Sequence, residues 1–552
     1  MVGSGGGKAH PTKAMFMASI MVSGELPEQW RAAYEHDRLS AGDYADPGPE
    51  RRAARALAAF IAAGLAFLAL PGTLLGVWNL IEIASHRAAN AASVAWIQAH
   101  GQAQLLGWVG SFILGISLYA LPKFRHRPLR NFGLVWTVWV LWTMGVAWRW
   151  WVGVSVRGWR VGLVASALME LAAYALTQRI LLFSPERIGE GKNSRRKPHD
   201  LGSWLGIVGF GALGLALTFN LGISIMVALK AATPVYPPRL DRAFLIVALW
   251  GFTVPVAWGY STRFVTIFLG LHPPDHGAAC RLGLGIVAII VCALARWFLL
   301  ADALILMVTI LAIHALRVLR PSVRPPKLAG VYRLYPQFIR LSYAWLLVGA
   351  VLGLAADIWG KEAGLGGASR HAVTVGFVAT LIFALAPRLL PAFLGGRELY
   401  RVKLMAASLW ALSMGCLLRV SSEAIAYSAG GWAWHILPVS AMLELAAVLV
   451  FVFNMAITLG QARPAWLEPS GVTARLPVYW YVTSFPETRK ILVDAGLKAL
   501  SQVREPPRSL TLEEAAAAEG VDLQEVLRRL QGFFSRRQPR SRANGSDMRA
   551  TT

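Results

Sequence analysis

The stretch AHGQAQLLGWVGSFILGISLYALPKF, residues 99–124, determines the fold class of this chain. It contains no acidic residue, and its first clear charge is Lys123 near the far end. At 1.5 Å per residue, residues 100–122 extend ~34 Å, enough to cross a hydrocarbon core of about 30 Å. The pattern therefore predicts a transmembrane helix with a histidine, His100, at its mouth.

Composition extends this prediction to the whole chain. Of the 552 residues, 56% are hydrophobic and only 15% are charged, with a mean hydropathy of +0.49, which excludes an ordinary soluble protein. The net charge of +24 lies mainly in short loops between apolar runs, which indicates membrane orientation and not nucleic-acid binding. Cys280, Cys292 and Cys416 are isolated, so the sequence supports neither a disulfide framework nor a cysteine-based cluster.

The apolar runs predict an all-α polytopic membrane protein of about twelve transmembrane helices within residues 51–461. Residues 1–50, rich in Gly, Ala and charge, are expected to form a disordered cytoplasmic arm and do not resemble a signal peptide. The predicted spans are 53–80, 100–122, 131–149, 160–184, 202–229, 241–271, 281–297, 300–318, 337–358, 371–394, 401–427 and 435–461.

The distribution of basic loops predicts the orientation of these spans. The loops that follow the second, fourth and eighth spans contain KFRHRPLR, ERIGEGKNSRRK and RVLRPSVRPPK, so both termini should be cytoplasmic. This orientation places His100, His371 and His435, with His86 in the preceding loop, near the outer face.

A repeated pattern divides the predicted spans into three units of four helices. The second, sixth and tenth spans end in LPKF, RFVTIFLGL and PRLLPAFLGG. The next span of each unit ends in an arginine, namely Arg149, Arg296 or Arg419. The segments SALMELAA and SAMLELAA then place Glu170 and Glu444 at matching positions of the first and third units.

Each of these charged residues has two explanations. The arginines either contact lipid headgroups or bind the carboxylates of a buried cofactor, which guanidinium groups bind in a bidentate manner. The two glutamates either hold helices together or transfer protons.

Histidine is the most informative residue type. A lone histidine at a helix mouth is usually an interfacial hydrogen-bonding group, but His100 and His371 open two helices on one side and together favour a metal site. A neutral imidazole nitrogen can ligate haem iron while the other nitrogen is oriented by a carbonyl or carboxylate.

The segments HGQAQLLGWVGSFILGISLYALPKF, VPVAWGYSTRFVTIFLGL and RHAVTVGFVATLIFALAPRLLPAFLGG resemble helices of the NnrS family across most of residues 51–461. That resemblance implies a protein of bacterial nitric oxide metabolism and denitrification that binds haem and copper and protects against nitrosative stress. The twelve helices are also similar to subunit I of haem-copper oxidases, in which helices two and ten carry haem ligands. The likeness implies that His100 and His371 are the ligands here.

Two departures limit what the resemblance implies. The sixth and seventh spans lack the histidines that bind copper in the oxidases, so neither an oxygen-reducing nor a nitric-oxide-reducing dinuclear centre can be built. Any copper site would have to recruit His435, His86 or methionines.

Residues 462–537 are soluble in composition and predict a small cytoplasmic helical domain, followed by a disordered basic tail at 538–552. Ser484 with Glu487, Thr511 with Glu514 and Asp522 with Glu525 predict helix starts. This domain is expected to bind a cytoplasmic protein partner. For the whole chain, a haem protein that binds a nitrosyl ligand and a proton- or solute-coupled transporter both stay open.

Overall fold

The computed structural model divides into two compact units, residues 48–462 and residues 1–47 together with 463–552. Predictions for the basic loops at 125–128 and 183–199 and for the tail at 538–552 lie outside the described residues. The structure describes residues 26–39, 47–124, 129, 131–182, 200–328, 330–394, 399–460, 474, 476–485, 487–503, 506–507 and 510–537.

Residues 48–462 form an all-α bundle, and eleven of the described helices in this bundle are long and apolar enough to cross a membrane. A twelfth, Phe132–Ser155, is equally long, but its many tryptophans lower its mean hydropathy. We number the twelve in chain order as helices 1 to 12: Arg52–His86, Val94–Pro122, Phe132–Ser155, Trp159–Leu182, Leu201–Lys230, Pro238–Leu269, His276–Leu294, Phe298–Leu316, Tyr335–Trp359, Ala363–Phe393, Val402–Ala429 and Ala433–Gly460.

Three helices form the inner layer of the bundle. In the most apolar stretches of helices 2, 6 and 10, 83%, 83% and 78% of the residues are buried, against at most 61% in the other candidate spans. Helices that follow one another in the chain pack side by side, and helix 12 packs on helix 1. The inner helices are therefore the second member of each predicted four-helix unit, which confirms the threefold organisation.

Each inner helix contains a π-helical segment, in which the turn is one residue wider than in an α-helix. The segments are Ala103–Gly110, Val247–Thr253 and Ala372–Ala379, and helix 1 has a further one at Leu68–Leu74. Helix 10 also begins with a π-helical segment. The three segments inside helices 2, 6 and 10 lie at matching depths, so the inner layer departs from α-helical geometry at the same level in all three four-helix units.

A glycine followed by an aromatic residue stands inside each of these three inner segments, as Gly107–Trp108, Gly251–Phe252 and Gly376–Phe377. The glycines admit a neighbouring side chain: a Cβ at position 107 would lie 2.8 Å from the Phe67 ring, and one at position 376 would lie 2.6 Å from Trp345. The three aromatic side chains are buried. Close approach of neighbouring helices therefore explains why glycine occurs here.

The structure corrects the predicted starts of two inner helices. Helix 2 begins at Val94, two turns before His100, and the described span of helix 10 begins at Ala363, two turns before His371. Polar residues in these first turns, such as Gln98 and Ser369, hide the helix starts from a hydropathy pattern although Gln98 is buried. Both histidines therefore lie inside the bundle and not at its mouth.

The second unit contains helices Val478–Ser484, Thr488–Asp494, Ala499–Gln502, Leu512–Glu519 and Leu523–Arg537. The prediction of disorder over residues 1–50 is wrong for Glu28–Leu39, which forms a helix of this unit. Leu26, Trp30 and Tyr34 recur every four residues, and this apolar stripe is buried in the same core as Val478 and Leu512. A short amphipathic helix becomes stable when such a stripe finds a partner.

Helix caps in the second unit follow the predictions in part. Thr511 and Glu514 form a reciprocal capping box, and the hydrogen bonds from Thr511 lower the pKa of the Glu514 carboxyl. The side chain of Asp522 accepts a hydrogen bond from the amide of Gln524. Ser484, by contrast, ends one helix, and the next begins at Thr488 after Phe485 leaves helical geometry, so the predicted cap at Ser484 is wrong.

Candidate functional site

Most of the charged side chains buried in the bundle gather toward the end at which the even-numbered helices begin, which we call the histidine end. They form three groups, and each group has members from two neighbouring four-helix units. The glutamate cluster contains Gln98, Arg149, Glu170, Asn220, Tyr236 and Asp241; the aspartate cluster contains Arg242, Asp302 and Asp357; the histidine cluster contains His100, His371, Arg419, Glu423 and Glu444.

His100 is oriented by helix 1. Its Nδ1 lies 2.9 Å from the carbonyl oxygen of Gly72, at the π-helical segment of that helix. A carbonyl only accepts hydrogen bonds, so Nδ1 carries the proton and Nε2 has a free lone pair. The imidazole packs on Gly76, where a Cβ would come within 2.5 Å of the ring carbon Cε1.

His371 is oriented in the same way by its own helix. Its Nδ1 lies 3.0 Å from the carbonyl oxygen of Gly367 and 3.3 Å from the Oε2 of Glu423. The same carboxylate lies 3.3 Å from the Nε of Arg419, so one buried glutamate joins the histidine to the arginine. Gly367 leaves room for Glu423, since a Cβ there would overlap the carboxylate.

The two histidines belong to one site. His371 and Arg419 are both close enough to His100 for electrostatic interaction. Within the described residues, the Nη1 of Arg419 makes no hydrogen bond although its side chain is only 8% exposed. The donor set therefore fits a haem: two imidazoles with Nε2 free and Nδ1 fixed, and a guanidinium nitrogen available for a carboxylate.

Two of the three predicted arginine partners lie elsewhere. Arg149 is buried, but its guanidinium lies over the Tyr236 ring at 4.8 Å and belongs to the glutamate cluster. Arg296 is exposed, because helix 7 ends at Leu294 and Arg296 adopts a left-handed φ of 64° in the turn that follows. Only Arg419 joins the histidines.

The histidines considered for copper also lie outside the histidine cluster. His435 is exposed in the first turn of helix 12, and His86 is exposed at the end of helix 1, where it contacts Ser85 and Glu82. Among the residues that the structure describes, no three His, Cys, Asp or Glu side chains come together as metal ligands.

The aspartate cluster and Glu423 were not recognised in the sequence. One nitrogen of Arg242, Nη2, lies 2.9 Å from Asp302 and 2.6 Å from Asp357, and the two carboxylates are largely buried. The sequence did offer a signal for these residues, namely an acidic residue within an apolar run. Such a residue is costly in a membrane unless it has a partner. Asp302, Asp357 and Glu423 each satisfy that description.

A substitution at Gly76 tests whether the packing on helix 1 positions His100. We expect Gly76→Ala to displace the imidazole and break its hydrogen bond to Gly72, because the new Cβ would overlap the ring. Purified protein should then retain less cofactor and show an altered absorption spectrum. Gly101→Ala is the matched control, since a Cβ at position 101, next to His100, meets no atom within 4 Å. Equal spectra for the two variants would contradict this role of Gly76.

Comparison with known proteins supports the fold but not a specific activity. A family model described as a domain of unknown function, DUF8744, matches residues 274–459, the region of helices 7 to 12. No curated protein matches the chain. Among solved structures, a heme-copper terminal oxidase dimer determined by cryo-EM is similar with a TM-score of 0.59, over 88% of this chain and 99% of that one. The sequence identity is 11%, so the likeness shows a shared fold alone.

Proposed function

We propose that this polytopic membrane protein binds haem between helices 2 and 10 and acts in bacterial nitric oxide metabolism, where it protects against nitrosative stress. The observation that carries the proposal is the pair His100 and His371, each with Nδ1 on a backbone carbonyl. Support also comes from the oxidase-like fold and from the sequence resemblance to the NnrS family.

The residues of the histidine cluster would each have a distinct role. The carbonyls of Gly72 and Gly367 hold the proton on Nδ1, which leaves the Nε2 of each histidine as the nitrogen that would hold the haem. Glu423 orients both His371 and Arg419, and the free Nη1 of Arg419 would bind a haem carboxylate. When bound, haem supplies an iron that takes nitric oxide as a ligand. The predicted sixth and seventh spans contain no histidine, so we propose no dinuclear chemistry.

Absorption spectroscopy tests this function. Protein purified after expression with ample haem should show an intense Soret band that shifts when nitric oxide is added. Deletion of the gene should sensitise the source bacterium to nitrosative stress, and the wild-type gene should restore resistance. A colourless protein would instead favour the transporter, in which the buried glutamates and histidines move protons or a solute.

We further propose that both termini are cytoplasmic and that the membrane is the bacterial inner one. Residues from both ends of the chain share one hydrophobic core, so the chain must enter and leave the membrane on the same side. That condition requires an even number of crossings, which the twelve helices provide when the tryptophan-rich helix 3 is included. The exposed residues of this second unit would bind a cytoplasmic protein partner.

Reporter fusions test the orientation. A reporter fused at residue 197, in a basic loop outside the described residues, and one fused after Gly460 should both report the cytoplasm, as the positive-inside rule predicts. A fusion after Gly158, in the turn between helices 3 and 4, should report the opposite side. A periplasmic signal from either of the first two fusions would reverse the placement of the histidine end.

A further inference from the structure

The glutamate cluster has members from helices 2 to 5, from the loop that follows helix 5 and from the first turn of helix 6. Glu170 of helix 4 is fully buried and lies eleven residues from the helix start at Trp159, ~17 Å along the helix axis from the histidine end. Its Oε2 accepts a hydrogen bond from the Nδ2 of Asn220 at 3.3 Å, whereas its Oε1 bonds to no described residue. A carboxyl group this deep in the membrane is costly, so its presence indicates a specific partner or role.

A chain of hydrogen bonds connects Glu170 to the histidine end. The Tyr236 hydroxyl donates to the Oδ1 of Asn220 at 2.8 Å, and Ser224 lies 2.6 Å from the same hydroxyl. Tyr236 belongs to the loop before helix 6, and the Gln98 side chain fixes its backbone through two bonds of 2.9 and 3.0 Å. Gln98 also hydrogen-bonds to Asp241 in the first turn of helix 6.

Arg149 is the cation of this cluster. Its guanidinium lies over the Tyr236 ring at 4.8 Å. It also interacts electrostatically with the carboxyl groups of Glu170 and Asp241. Arg370 is a second cation that interacts with Asp241. The Arg149 side chain is buried, and beyond its contact with Tyr236 most of its five N–H donors have no partner among the described residues. Buried polar groups without protein partners bind water, so the space beside Arg149 is suited to ordered water molecules.

We propose that the glutamate cluster is a proton-exchange path that leads from the histidine end to Glu170 and stops there. A proton that enters at the Asp241 carboxylate moves through water bound by Arg149, through the Tyr236 hydroxyl and through water at the Oε1 of Glu170, which bonds to no described residue. Each of these groups accepts one proton as it gives up another. The amides of Gln98 and Asn220 hold these groups in place. Protonation of the Glu170 carboxylate completes the transfer, and the reverse order releases the proton.

The path has one opening because, among the described residues, no polar side chain further along helix 4 hydrogen-bonds to the Glu170 carboxyl. Ala173 is fully buried, and the Thr177 hydroxyl donates to the carbonyl of Ala173 within helix 4. On helix 5, Leu213 and Leu217 are fully buried. Glu170 therefore exchanges protons with one side of the bundle. This role requires no haem and is independent of the function proposed above.

Infrared spectroscopy of the full chain tests the path. The protonated carboxyl of Glu170 should give a C=O band that disappears in Glu170→Gln and shifts after transfer from H2O to D2O. We expect Tyr236→Phe to slow this shift by on the order of tenfold or more, because exchange must then await local opening of the bundle. Asp241→Asn should slow it as well.

Tyr174→Phe is the matched control, since Tyr174 lies on helix 4 and its hydroxyl accepts a hydrogen bond from Gln178 outside the path. Its exchange rate should equal that of the wild type. An exchange rate unchanged in both Tyr236→Phe and Asp241→Asn would overturn the path. Absence of a carboxyl band that depends on Glu170, at any pH at which the protein is folded, would overturn the proton site itself. Haem content has no bearing on either outcome.

Discussion

Replacement of His100 or His371 by alanine is expected to abolish the Soret band of haem-loaded protein or to change its position and intensity. Each substitution removes one of the two imidazoles that would hold the haem, and the remaining histidine cannot replace it. The loss should be measured as haem per protein and as the absorption spectrum before and after nitric oxide is added. If haem performs the protection, cells with either variant should be as sensitive to nitrosative stress as cells without the protein.

His314→Ala is a suitable control because His314 is exposed in the last turn of helix 8, away from the histidine cluster. Its spectrum should match that of the wild type. Arg419→Leu should retain less haem than Arg296→Leu, since only Arg419 contacts the histidine cluster. Full haem content in both histidine variants would refute the assignment of the ligands, and His435 and His86 would be tested next.

Arg242→Met is expected to cause the largest loss of stability in the bundle. Asp302 and Asp357 would both lose their ion pair with Arg242, and removal of one partner from a buried ion pair costs about 3–5 kcal/mol. The variant should aggregate at a lower temperature than the wild type when solubilised protein is heated and analysed by size-exclusion chromatography. This variant should lose its fold without first losing haem.

Arg239→Met provides the matched control, since Arg239 lies in the same first turn of helix 6 but is exposed. It should behave as the wild type. Adding Asp302→Asn and Asp357→Asn to Arg242→Met should restore part of the stability, because the uncompensated charges are then removed. A triple variant no more stable than Arg242→Met would show that packing of Arg242 on Phe298, and not its charge, supports this unit.

Much of the fold could be predicted from the apolar pattern. The twelve spans, the three units and the choice of His100 and His371 follow from run lengths and repeated residue types. The helix starts could not be predicted in this way, because hydropathy counts Gln98 as polar whether it is exposed to water or buried against Tyr236. Arg296 shows the opposite error. It matches Arg149 and Arg419 in the repeated sequence pattern, but it lies in a turn and not in a helix.

The partners of the buried charges were the hardest part to predict. Glu423 lies one turn after Arg419, so the pair was visible in the sequence, but its contact with His371 depends on the packing of helices 10 and 11. The apolar stripe of Glu28–Leu39 was also visible, but its partner lies more than 400 residues away in the chain. Such contacts arise from tertiary structure and leave no local pattern.

The π-helical segments of the inner helices have a consequence for insertions and deletions. A π-helical turn contains one residue more than the α-helical turn it replaces, and each residue of an α-helix turns the chain by about 100°. Deletion of one residue between Ala103 and Gly110 would let helix 2 become α-helical and would rotate His100 away from Gly72. Relatives that differ by a single residue here would thus present a different face of the helix to the site, although every side chain around it were the same.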